Sequence, residues 1–392
     1  MTTYRYFLFF AFLLLFPGDG IAHYLVGETP LFYIGSMALV AILLAERVFN
    51  SIRNKQLVYL DRKTLLALGL FFAMFSSAII CASSSPHFKF VNFSWLFAKY
   101  LLYALVGFLL IKNFHLLQNK TIRYSLLFTF ISSVLILGPF LNLDSMTLTF
   151  IFEDRQVNYI RTAESFFYLT LLLFILQEKK YLKWSLWLFG WLCLYAINSR
   201  LYLYLWILLP SLYYVSSSKW RKAIAAVPAS ALIVYLQINV LSNPLSRQNI
   251  LLSSAANTNN SFRLRKEFFY GGWEQILESP ISGSYKGYID LWGVRGSYIH
   301  NILSYWQVYG LLAFLSLILI IGLSTPAILK PDYSTDKSAI VFSRLCLIYA
   351  ILSAALSLGY VFPIIFFGIG AALATQNTTK DISIFRNNQT SP

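Results

Sequence analysis

The stretch Asn259–Gly310, NNSFRLRKEFFYGGWEQILESPISGSYKGYIDLWGVRGSYIHNILSYWQVYG, decides how the chain is read. Apolar sequence long enough for lipid-embedded helices lies on both sides of it. From Ser242 to Ile299, about sixty residues, the chain turns polar and carries six basic side chains: Arg247, Arg263, Arg265, Lys266, Lys286 and Arg295. It returns to apolar sequence at His300-Asn301. The pattern predicts a long loop, set late in a polytopic helical protein, that closes over a membrane-facing site for an anionic, lipid-linked substrate.

Inside the loop, Asn260-Ser261 reads as an N-cap and Pro280 as a stop beyond the far end. The intervening FRLRKEFFYGGWEQILE predicts a helix interrupted by Gly271-Gly272. Phe262, Arg265, Phe269, Trp273 and Ile276 fall on one stripe at helical spacing. Arg265 is the odd member, while Arg263 points the other way. A guanidinium on an apolar face is costly without an anionic partner, so Arg265 either meets a substrate anion or snorkels to lipid phosphate. Ser279-Pro280-Ile281-Ser282-Gly283 is a turn. His300 is expected to open the next span, with His300, Ser304 and Gln307 on one helix face, where a helix N-terminus favours an anion. A histidine there is either a catalyst or an interfacial capping residue.

Over the whole chain, 58% of the 392 residues are hydrophobic and only 12% are charged. A soluble domain carries roughly 25% charged residues, so there is too little charge to coat a soluble surface. The net charge of +15 sits in short clusters between apolar runs, the positive-inside pattern. No nucleic-acid-binding motif accompanies it. Cys81, Cys193 and Cys346 each lie in an apolar run and read as small helix-contact residues.

A span needs about 20 apolar residues. Twelve are expected, at 4–24, 30–48, 64–82, 95–113, 124–142, 162–177, 184–197, 201–215, 223–241, 300–323, 338–357 and 361–376. The first resembles a signal peptide but is read as an uncleaved span, because eleven more follow. With both termini cytoplasmic, the inside segments hold nineteen Lys and Arg and the short outside loops four. Short loops decide topology, so the long loop is expected on the periplasmic side. The expected organisation is helices 1–9 in 1–241, the loop in 242–299, helices 10–12 in 300–376 and a polar cytoplasmic tail in 377–392.

Polar residues at span ends complete the candidates. Arg200, in Asn198-Ser199-Arg200, is a phosphate ligand or an interfacial anchor. Arg161 and Glu164 are spaced for a helix ion pair, and Glu153-Asp154-Arg155 edges the same span. Lys99 either snorkels or reaches a phosphate, and Arg344 is read as snorkelling. Glu164 is counted as the one acidic residue within a span.

Together these residues resemble the family of bacterial O-antigen polymerases and O-antigen ligases. The resemblance rests on Ser199-Arg200 at a span end, on Arg265 ahead of Pro280-x-x-Gly283, and on His300-Asn301 followed by Gly310. It covers residues 196–315 by motif and the rest by topology. Two departures are visible. Phe269 stands where the family usually has Trp, and Gly310 follows His300 by ten residues rather than eleven, which favours the polymerase branch.

The resemblance implies a GT-C-like membrane glycosyltransferase that uses no cofactor and no metal. It would move a glycan from undecaprenyl diphosphate to the terminal sugar hydroxyl of another lipid-linked repeat unit or, in a ligase, to lipid A–core. Partners implied are the lipid-linked oligosaccharide, an acceptor glycolipid, the bilayer and a chain-length regulator protein, without nucleic acid. The location implied is the bacterial inner membrane. Arg200 and Arg265 would clamp the diphosphate, with Arg263 in reserve and Lys99 and Arg161 as further substrate ligands. A bidentate guanidinium suits that task. One such pair at ~4 Å near a protein surface contributes roughly 4 kcal/mol before desolvation. His300 would accept the proton of the acceptor hydroxyl or orient that hydroxyl, since an imidazole's ordinary pKa of about 6.5 suits a general base. Asn301 would orient the sugar or the imidazole. The competing class is a lipid-linked oligosaccharide flippase or another transporter.

Overall fold

The computed structural model describes residues 2–26, 30–53, 61–142, 146–148, 159–217, 219–239, 260–293, 297–329, 337–356 and 359–387. The segment 242–259 with Arg247, the run Glu153-Asp154-Arg155 and Arg295 lie outside the described residues.

The described chain is helical almost throughout. It opens with α1 (Thr2–Leu13), a π-helical turn at Leu14–Gly18, α2 (Asp19–Val26), α3 (Leu31–Arg53), α4 (Arg62–Ser83) and α5 (Phe90–Lys112). Next come α6 (Phe114–Leu117), α7 (Lys120–Leu137), α8 (Tyr159–Leu176), α9 (Lys180–Ala196), α10 (Arg200–Ile207), α11 (Leu209–Ser216) and α12 (Trp220–Asn239). The last third holds α13 (Asn260–Glu278), α14 (Gly287–Trp292), α15 (Ser304–Ser324), α16 (Pro326–Leu329), α17 (Lys337–Leu356) and α18 (Ile364–Asn387). A short antiparallel pair, β1 (Leu141–Asn142) and β2 (Thr147–Leu148), sits between α7 and α8.

Among the described residues, eight helical segments are long and apolar enough to cross a membrane. They are Tyr6–Val26, Leu31–Asn50, Arg62–Ser83, Phe90–Lys112, Lys120–Phe140, Tyr159–Leu176, Ser304–Ile328 and Lys337–Leu356, with Ile364–Thr375 a shorter apolar helix. This is an all-α, multi-pass membrane protein. The exposed faces agree with lipid as the solvent. On α7, Ile122, Leu126, Phe130 and Leu137 are buried while Phe128, Ile131 and Leu135 are exposed, so both faces are apolar. Polar caps begin two of these helices: Asp61 Oδ1 accepts from Thr64 N at 2.8 Å, and Asn119 Oδ1 from Thr121 N at 2.9 Å.

The stretch expected as the spans 184–197 and 201–215 is three short helices. α10 and α11 meet at Leu208, where Pro210 enters the first turn of α11. α9 and α10 are fastened by reciprocal bonds: Trp187 Nε1 donates to Trp206 O at 3.0 Å, and Trp206 Nε1 to Trp187 O at 2.7 Å.

The chain forms two compact units, each discontinuous in sequence. The first comprises Met1–Gln56, Asn113–Ser254 and Thr335–Leu345. Its centre is α8, buried on every side from Thr162 to Leu176 and packed by α2, α7, α9 and α10. The second comprises Leu57–Lys112, Ala255–Ser334 and Cys346–Pro392. There α4 packs on α15, and α5 on α18. The α5–α18 seam needs small residues: a Cβ at Gly107 would overlap the Phe367 carbonyl, and one at Gly370 the Ala104 carbonyl. Cys346 is fully buried in the same unit, where its carbonyl oxygen would lie 2.7 Å from a Cβ at Gly368.

Candidate functional site

The second unit contains Arg263, Arg265, His300, Asn301 and Lys99; the first contains Arg161 and Arg200. In the second unit, α13 carries the two loop arginines. The helix runs through Gly271-Gly272 without the expected interruption. The glycines serve close packing instead: a Cβ at Gly271 would overlap the Trp292 ring, and one at Gly272 the Ile299 side chain. Each glycine lowers helix propensity by about 1 kcal/mol, which the packing of Trp292 and Ile299 offsets.

The packed face of α13 is also turned from the expected stripe. Phe268, Gly272, Gln275, Ile276 and Ser279 face inward, whereas Phe269 and Trp273 are each 38% exposed. Glycine and glutamine make this contact, so a search for large apolar side chains picks the neighbouring line. The side chain of Phe262 lies outside the described residues. Arg265 is exposed one turn before Phe268, and among the described residues no carboxylate is paired with it. Arg263 is exposed too, with Nε 3.7 Å from Glu267 Oε1.

His300 precedes α15 rather than opening it, since the helix starts at Ser304. It therefore does not share a helix face with Ser304 and Gln307 as expected. The turn is set by Asn301, whose Oδ1 accepts from Leu303 N at 2.9 Å and whose carbonyl accepts from Ser304 N at 3.0 Å. The half-buried His300 ring lies between two aromatics, with its centroid 5.0 Å from Tyr298 and 6.2 Å from Phe268. Phe268 thus brings the Arg265 turn of α13 to the histidine. A buried glutamine pair reinforces the contact: Gln307 Nε2 donates to Gln275 Oε1 at 2.7 Å, and Gln307 Oε1 accepts from Ile299 N at 2.9 Å.

The loop turn is clasped to α15 by main-chain bonds. Gly310 interrupts the helix with φ 79° and ψ 176°, a region only glycine occupies readily. The break frees backbone groups that must be paired in a buried setting. Leu311 N donates to the carbonyls of Pro280 at 3.1 Å and Ile281 at 3.2 Å, and Ser284 N donates to Gln307 O at 2.7 Å. Trp306 Nε1 adds a bond to Pro280 O at 2.8 Å. Gly283, at φ 66°, abuts Gly310 itself, so a Cβ on either would overlap the other segment's backbone. The Pro280-x-x-Gly283 turn thus replaces the helical bonds that α15 lacks.

Beneath His300 lies a tyrosine cluster. Tyr288 and Tyr360 share a hydroxyl–hydroxyl bond of 2.8 Å, Tyr360 N donates to Ser304 Oγ at 2.7 Å, and Tyr100 donates to the Tyr360 carbonyl. Burial, reinforced by neighbouring tyrosines, raises the phenols of Tyr285 (to about 12) and Tyr360. Lys99 is 9% exposed on α5, with Nζ 5.6 Å over the Trp95 ring. Further out, Ser85 Oγ donates to Tyr285 O at 2.9 Å, and His87 Nε2 meets Asp290 Oδ1 at 2.7 Å. No protein-family model, curated protein or solved structure matches this chain.

In the first unit, Arg200 starts α10 and is half-buried. The turn before it holds Asn198 at φ 64° and the buried Ser199. Arg161 begins a polar cluster that the sequence reading missed. Asp19, 4% exposed, lies inside the apolar segment Tyr6–Val26, so Glu164 is not the one acidic residue in a span. Arg161 Nη1 is 3.6 Å from Asp19 Oδ2 and bonds the Tyr33 hydroxyl, which donates to Asp19 at 2.8 Å. Glu164 accepts from Tyr202 at 3.0 Å. The signal was available in the sequence, because an acidic residue within an apolar span implies a nearby partner. Arg344, read as snorkelling, is 3% exposed and donates to Ser216 O at 2.7 Å.

Asp19→Asn is expected to destabilise the protein by about 3–5 kcal/mol, because Arg161 loses a buried counter-charge. The double variant Asp19→Leu/Arg161→Leu should recover most of that loss. Thermal unfolding in detergent checks both, and an unchanged midpoint for Asp19→Asn would mean that the pair contributes nothing.

Proposed function

We propose that this chain is an inner-membrane glycosyltransferase that polymerises lipid-linked polysaccharide repeat units. In this reading the chain has twelve spans in a GT-C-like arrangement, both termini are cytoplasmic, and α13 and His300 face the periplasm. What supports it is the clasp between α13, its following turn and α15, which keeps the Arg265 turn beside His300 through the ring contact of Phe268 with the histidine at 6.2 Å.

The acceptor sugar hydroxyl gives its proton to His300 as its oxygen attacks the anomeric carbon. The bond from that carbon to the phosphate oxygen breaks, and undecaprenyl diphosphate departs with the electron pair. Arg265 faces the growing negative charge. Preorganised cations placed where charge develops typically contribute 10²–10³ in rate. Arg263 is the weaker candidate because Glu267 competes for it. Asn301 acts by holding the His300 turn, since its side-chain oxygen is bonded to Leu303 N. Lys99 is a further substrate ligand in this reading, while Arg161 enters from the sequence alone and is already engaged by Asp19 and Tyr33. Arg200 enters from its Ser199-Arg200 motif alone, and Arg200→Ala is expected to shorten the polymer.

The deciding experiment supplies purified full-length protein in liposomes with lipid-linked repeat units. Polymer with released undecaprenyl diphosphate is the expected product. Transfer to added lipid A–core instead would make the chain a ligase. Movement of repeat units across the bilayer without a new glycosidic bond would make it a flippase.

A further inference from the structure

The first unit has an open groove of about 640 Å³ between α9, α11 and α12. Its floor is alanine: Ala225, Ala226 and Ala229 recur at helical spacing on α12, so that side of the helix is a trough. Trp184, Trp187 and Tyr214 wall it. Ala225 and Ala229 stay exposed, as do Ile224 (70%) and Leu232 (56%) on the same helix, so the trough opens outward on an apolar face of α12. An exposed apolar trough is a surface that a hydrocarbon chain can cover.

One end of the groove is cationic. Lys222 lines it, as does Tyr181, and Lys179 Nζ stands 5.9 Å from the Tyr181 ring centroid. Lys183, next to Trp184, bonds the Tyr213 hydroxyl at 3.2 Å and lies in the field of Lys219. Among the described residues, no carboxylate is paired with Lys179, Lys183, Lys219 or Lys222. Glu178, adjacent in sequence, is taken by Arg123 at 2.8 Å. Aromatic residues at the mouth suit the headgroup level of a bilayer. This end is separate from Arg200: Tyr181 and Ala196 are at opposite ends of α9, roughly 22 Å apart at 1.5 Å per residue.

We propose that this groove binds an anionic phospholipid, with an acyl chain along Ala225, Ala226 and Ala229 and the phosphate at Lys222 and Lys179. The apolar trough selects a hydrocarbon chain. The excess of lysines selects a net-negative headgroup over a zwitterionic one, and each such charge is expected to change retention about fivefold. The site stands independently of the proposed glycosyl transfer.

The test is native mass spectrometry of the full chain in detergent, after incubation with equal amounts of phosphatidylglycerol and phosphatidylcholine. The wild type is expected to retain phosphatidylglycerol preferentially. Lys222→Gln should lower that retention about fivefold. Ala229→Phe, which fills the trough from an exposed position, should abolish it, while Ile224→Phe, exposed outside the groove, should leave it unchanged. Equal retention of the two lipids would overturn the proposal, as would wild-type retention by Ala229→Phe. Retention of an isoprenyl phosphate in place of phosphatidylglycerol would overturn it too. In vesicles of phosphatidylglycerol with brominated acyl chains, Trp184→Phe should lose part of the quenched fluorescence. Undiminished quenching in that variant would also count against the site.

Discussion

Gly310→Ala is expected to lower the unfolding temperature of the detergent-purified protein more than any other single-methyl addition to α15. Two effects combine. The backbone angles of φ 79° and ψ 176° are foreign to alanine, with strain on the order of 1–3 kcal/mol. The new methyl would also overlap the Ile281 carbonyl oxygen, a backbone atom that cannot rotate away, and overpacking of that kind adds about 1–3 kcal/mol. Gly322→Ala is the control on the same helix, because a Cβ there meets nothing within 4 Å. That change should be neutral or slightly stabilising, since alanine is favoured over glycine by about 1 kcal/mol in a helix. Equal unfolding temperatures for the two variants would show that the turn does not clasp α15 at Gly310. Gly283→Ala should behave like Gly310→Ala, since its Cβ would strike Gly310 N.

His300→Ala is expected to reduce polymer formation by 10²–10⁴-fold, the usual contribution of a positioned general base. Arg265→Ala should reduce it by 10²–10³-fold, with Arg265→Lys recovering only part, because an ammonium cannot offer a guanidinium's two parallel donors. Both side chains are at least partly exposed, so the variants should fold and reach wild-type levels in the membrane. Arg263→Ala serves as the comparison on the same helix, with a loss of less than tenfold expected because its charge is shared with Glu267. Turnover of purified lipid-linked repeat units, followed by polymer length and released undecaprenyl diphosphate, measures all four. Wild-type polymer from His300→Ala and Arg265→Ala would remove both residues from the mechanism.

The membrane character of the chain was legible because an excess of apolar residues leaves few other folds open to it. The turn at Pro280 and Gly283 and the glycine after His300-Asn301 were legible as a spaced set, but not as two halves of one contact. A glycine in an apolar run looks the same whether it faces lipid, as at Gly322, or breaks a helix, as at Gly310. The packed face of α13 was missed because Gly272 and Gln275 form it, and their contribution depends on what approaches them. Asp19 was hidden by the apolar run around it, and its partner lies on α8. The two units were beyond a linear reading, because α4 and α5 find their partners on α15 and α18, more than two hundred residues later.

The bonds at Pro280, Ile281 and Ser284 engage main-chain atoms, so they specify a path and leave several side chains without a structural duty. Ile281 and Ser282 are exposed while the main chain at Pro280, Ile281 and Ser284 is bonded to α15. Exchanging those two residues should change the texture of the surface near the turn while its scaffold stays rigid. A protein of this build can therefore diversify what it touches there without retuning how it folds.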